Sequence, residues 1–117
     1  MAEWVSAADG IIEADVIRWK EAAFQNRRRK KARSIRLGER LVIAEVLQDA
    51  DAKGLVNLLV RGCEMISETP GRKVPLLTLK TTIKRARKTI MRGNPERLLW
   101  SDESARVLLA SRFLGNR

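Results

Sequence analysis

Turn-forming clusters interrupt this chain at short, fairly even intervals, and that punctuation restricts the fold more than any other feature. They are Asp9-Gly10, a basic run closing on Gly38, "DADAKG" at 49–54, "TPGRK" at 69–73 and "RGNP" at 92–95. Between them lie apolar stretches of about 8 to 15 residues, each long enough for one strand or one short helix. No repeat with a period of about 20 to 50 residues links them.

The central stretches read best as strands. "RLVIAEVLQ" (40–48) and "LVNLLVRGCEMIS" (55–67) flank the polar, Gly-ended segment 49–54. Their β-branched density, and the glycines at 38, 54 and 62, predict an antiparallel hairpin. Val42, Ala44 and Val46 would share one face, as would Val56, Leu58 and Val60. A helical stripe of Leu55, Leu58, Leu59, Cys63 and Ile66 is the competing pattern. Residues 15–24 are divided: "DVIRW" is strand-like, while "WKEAAFQ" contains helix formers.

Residues 78–93 fit two descriptions. A helix capped by Thr78 would turn Leu79, Ile83, Ala86 and Ile90 inward. A strand would put Ile83, Arg85, Arg87 and Thr89 on one face and lead into the tight turn "GNP" and a short "RLLW". The last stretch predicts a helix over about 102–114. Ser101 is the expected N-cap, and Asp102 and Glu103 suit the positive end of the helix dipole. Ala105, Leu108, Leu109 and Phe113 form its expected docking face, and Gly115 its expected C-cap. The fold expected is therefore α+β: one domain spanning 1–117, a small antiparallel sheet or barrel from the central segments, and a C-terminal helix. The alternative is an all-α helix-turn-helix protein with 79–91 as the recognition helix.

Composition narrows the class. Of 117 residues, 44% are hydrophobic and 32% charged, which suits a folded chain rather than a disordered one. A single cysteine, Cys63, forms no internal disulfide, so a reducing compartment is expected. No apolar run approaches the roughly 20 residues that cross a bilayer. "MAEWVSAADG" lacks the layout of a signal peptide. A cytoplasmic location with no membrane partner follows as the expectation.

Charge is the informative quantity. The chain has 24 Lys and Arg against 14 Asp and Glu, a net +10. Arg27, Arg28, Arg29, Lys30, Lys31, Arg33 and Arg36 lie within a loop expected over 25–38. Lys80, Lys84, Arg85, Arg87, Lys88 and Arg92 form the second group. Neither segment contains an acid, and without these 13 side chains the remainder holds 11 cations against 14 acids. Charge spread for solubility is mixed in sign; charge concentrated in this way is expected where a polyanion docks.

Catalytic constellations find little support. There is no histidine, and one cysteine makes no zinc site. No glycine-rich phosphate loop occurs. Asp49 with Asp51 reads as turn chemistry, and Asp102 with Glu103 as helix capping. Cys63, within "LLVRGCEMI", reads as a core residue, and Trp4, Trp19 and Trp100 as core or lid residues rather than a stacking platform. The expected protein is a non-enzymatic nucleic-acid binder, DNA before RNA, with a regulatory or architectural role and no cofactor or metal. The 13 clustered cations are its expected contacts. The rival is an interaction module or inhibitor docking those segments on an acidic protein partner. A homodimer is compatible with either.

Overall fold

A computed structural model describes residues 3–25, 35–48 and 54–115 of the chain. Six strands form one antiparallel sheet: β1 (Trp4–Ser6), β2 (Val16–Phe24), β3 (Arg36–Gln48), β4 (Leu55–Glu68), β5 (Thr82–Ala86) and β6 (Glu96–Leu98). Their order across the sheet is β1-β6-β2-β3-β4-β5. Two helices complete the fold, α1 (Arg87–Arg92) and α2 (Glu103–Gly115). This mostly-sheet architecture fits the α+β expectation loosely and excludes the all-α alternative.

The central hairpin forms as the pattern of β-branched residues dictates. β3 and β4 pair from Gly38↔Glu68 to Gln48↔Asn57, with three register shifts. One face of the sheet buries Ile17, Trp19, Val42, Ala44, Val46, Val56, Leu58 and Val60. Burial alternates with period two along β2, β3 and the first half of β4, as a sheet with one covered face requires. The cover comes from Ala7 and Ile11 before β2, and from Ile90 of α1.

Three segments depart from the simplest reading of the sequence. "WKEAAFQ" is strand as far as Phe24 despite its helix formers. Ala23 is buried in the core, and Glu21 is the centre of an ion cluster described below. Residues 78–93 are both strand and helix: β5 turns into α1 at Ala86. Ile83 packs from the strand and Ile90 from the helix against the same core.

The C-terminal helix is present, but its docking face is not the one expected. Ala105 is exposed, and Val107 and Leu108 are 65% and 68% exposed. The helix is instead held by charge. Arg106 donates from Nε to Asp15 Oδ1 at 2.8 Å and from Nη2 to Oδ2 at 2.8 Å. Asp15 is fully buried and also accepts from Ile12 N–H at 3.0 Å and Trp100 Nε1–H at 3.0 Å. Glu103 takes two N–H bonds from Arg97, at 3.1 and 2.9 Å. The N-cap is Asp102, one residue later than expected, whose Oδ1 accepts from Ser104 N–H at 3.0 Å. Gly115 is the last helical residue rather than a cap beyond the end.

The sheet also curls. In a flat sheet β2 and β5, separated by β3 and β4, would lie about 14 Å apart. Here Arg85 of β5 reaches Glu21 of β2 at 3.0 Å across the covered face. α1 then carries the chain from β5 back to the open edge of β2, where Gly93 O accepts the Lys20 N–H at 2.9 Å. A Cβ at Gly93 would sit 2.2 Å from Lys20 O, so glycine is what lets the two backbones meet.

Candidate nucleic-acid interface

β6 pairs with β2 only at Ile17 and Arg18, which leaves the edge of β2 beyond Lys20 without a neighbouring strand. A cleft of about 580 Å³ opens there between β2, the start of β3 and α1. Its charged lining is Lys20, Glu21, Glu39, Arg40, Arg85 and Arg92, four cations against two acids.

Glu21 organises the floor. Sheet alternation turns it to the covered side beside Trp19, and its side chain is 6% exposed. Arg40 donates to its Oε2 from Nε at 3.0 Å and from Nη2 at 2.8 Å. Arg85 donates to Oε1 from Nε at 3.0 Å and to Oε2 from Nη2 at 3.2 Å. Trp19 Nε1–H completes the set at 3.1 Å. Burial pushes the carboxyl up. Bonding to Arg85 and its charge, then bonding to Arg40 and Trp19, outweigh burial and hold Glu21 below the ordinary carboxylate value. The carboxylate therefore stays ionised and fixes both guanidinium groups.

The rim belongs to the basic hairpin. Phe24, 54% exposed, lines the cleft at the end of β2. The next residue, Gln25, donates its N–H to Ile35 O at 2.8 Å and closes the hairpin root. Residues 26–34, which carry Arg27, Arg28, Arg29, Lys30, Lys31 and Arg33, lie outside the described residues, as does the Asp49–Asp51 pair. The chain that bears six of the expected contacts thus leaves and re-enters the sheet beside the cleft. Arg72 approaches the same root, with Nη1 3.5 Å from Gln25 Oε1.

The remaining expected contacts divide into paired and open side chains. Arg36 pairs with Glu39 at 3.1 Å, and Arg85 is committed to Glu21. Arg87 is half-buried, and its N–H bonds to Gly54 O at 3.0 Å. Lys80, Lys84, Lys88 and Arg92 are exposed, and no carboxylate among the described residues lies within ion-pair distance of them. Lys84 projects from the opposite face of β5 to Arg85. Arg92 alone of these four lines the cleft.

Sequence reasoning missed Glu21, Lys20, Arg40 and Phe24. Counting acids within each basic segment could not detect a carboxylate that neutralises Arg85 from 64 positions away. Trp19 is in the core. Trp100 is bonded to Asp15, and Trp4 stacks beneath Arg18, whose guanidinium lies 4.4 Å from the ring centroid. Cys63 is half-buried and packs against the core cluster. Among the described residues, no three His, Cys, Asp or Glu side chains converge, and no helix is long and apolar enough to cross a membrane. No protein-family model, curated protein or solved structure matches the chain.

Proposed function

We propose that the chain is a non-enzymatic DNA-binding module with a regulatory or architectural role. The observation that carries this reading is the placement of the basic hairpin. Six cations of the 26–34 segment are tethered at the mouth of a cleft that itself has a cationic surplus. Each Lys or Arg that meets a phosphate releases condensed counterions, so such a surface draws most of its affinity from charge.

The test is a titration against duplex DNA, single strands and structured RNA at two salt concentrations. The affinity for DNA should fall steeply with salt. Replacing Arg27 to Lys31 together by Ala should weaken binding and flatten the logarithmic salt slope by about 4, at ~0.9 per phosphate lost. The melting temperature should stay nearly unchanged. Failure to bind any nucleic acid at low salt would overturn the reading and favour an acidic protein as the partner.

A further inference from the structure

The cleft beside the hairpin has features that a simple phosphate-gripping surface does not need. It is concave, and its size is within the range of small-ligand sites. Two of its four cations, Arg40 and Arg85, are spent on Glu21, which leaves Lys20 and Arg92 exposed and without a carboxylate among the described residues. Thr89 and Asn94 add neutral polar groups to the lining. The Lys20 N–H points away from β3 to Gly93 O, so strand alternation aims the Ala22 N–H the same way, along the cleft wall. An aromatic ring, Phe24, stands half-exposed on the rim. Donors for a phosphate and one π-face for a base are thus set in a single concavity.

We propose that this cleft holds one unpaired nucleotide of a bound strand, with its phosphate between Lys20 and Arg92 and its base against Phe24. The inference rests on the DNA-binding reading and adds to it: the hairpin cations track the backbone, and the cleft demands a base free of its pairing partner. Every base has a π-face, so the pocket tolerates sequence and discriminates single from paired strands.

The experiment compares the full chain with Phe24→Ala, Phe24→Trp and Arg92→Ala. Affinities are measured for oligothymidylate, for an abasic strand of equal length and for a duplex of equal length. Phe24→Ala should weaken oligothymidylate binding about tenfold, the scale of one lost base-stacking contact. It should leave the abasic strand and the duplex unchanged, and Phe24→Trp should restore the loss. Arg92→Ala should weaken the oligothymidylate and abasic strands alike. Thermal melts of the variants should match the parent, since both side chains are exposed. The proposal is overturned if the wild-type chain binds the abasic strand as tightly as oligothymidylate, or if Phe24→Ala affects all three ligands equally or none. Either result with DNA binding intact sinks only the nucleotide pocket, whereas loss of all binding by the parent chain sinks the DNA-binding reading itself.

Discussion

Replacing Glu21 by Gln removes the charge that holds two strands and a hairpin together. Four guanidinium N–H groups converge on this carboxylate from Arg40 and Arg85. The variant leaves two cations facing each other, with side chains 12% and 24% exposed. Breaking a buried ion pair from one side costs ~3–5 kcal/mol. Partial solvation of Arg85 and the retained amide oxygen put the expected loss near the lower end, about 3 kcal/mol. With a urea m-value of ~2 kcal/mol/M, the unfolding midpoint should drop by about 1.5 M at neutral pH. The effect has a pH signature. The Glu21 carboxyl is held below its ordinary value of 4.5, so its stabilisation is complete above that value. It is lost as pH falls through the lower folded value, because the unfolded chain takes up the proton first. The gap between parent and variant should therefore narrow in acid. A midpoint change under ~0.3 M, or a gap that stays constant from neutral pH to well below 4.5, would refute this account of the cluster.

Other residues test the remaining structural claims. Gly38 has φ +147°, and a Cβ there would lie 2.1 Å from Ser67 O; Gly38→Ala should cost ~3 kcal/mol or more in thermal or urea unfolding. Arg106→Leu strands the fully buried Asp15 carboxylate and should cost ~3–5 kcal/mol, while Leu108→Ala, at a side chain facing solvent, should stay within ~0.5 kcal/mol. The reverse ranking of that pair in urea unfolding would mean α2 docks by its apolar face after all. Arg85→Ala should lower the melting temperature, whereas Arg92→Ala should lower DNA affinity at an unchanged melting temperature, which separates the structural cation from the contacting one.

The sheet was legible in the sequence where one physical demand acted alone. In 40–48 and 55–67 the side chains needed only to alternate between a covered and an uncovered face, and β-branched density recorded that demand. β2 was harder because Glu21 and Ala23 meet separate tertiary needs, an ion cluster and close packing, that happen to use helix-forming residues. Residues 78–93 resisted a single description because two periods follow one another and meet at Ala86. For α2 the start was readable from Asp102 and Glu103, since capping is a local effect. Its orientation was not readable, because the choice between Leu108 and Arg106 as the inward residue depends on a buried aspartate 91 positions away.

The same non-locality governs the charge. A run of cations in sequence is a sum of side chains, but a surface is what remains after folding has paired some of them. Arg85 belongs to the second basic segment and is consumed within the fold; Lys20 belongs to neither segment and stands free at the cleft. A carboxylate inside a cationic cleft looks at first like a defect in an anion-binding surface. Without it, however, curling the sheet would press the Arg40 and Arg85 guanidinium groups together at a site with little water to separate them. Glu21 removes that repulsion at the cost of one unit of positive charge and keeps both arginines bound to the sheet. The surplus that remains is carried by side chains already facing solvent, which can reach a phosphate without first breaking a bond inside the fold.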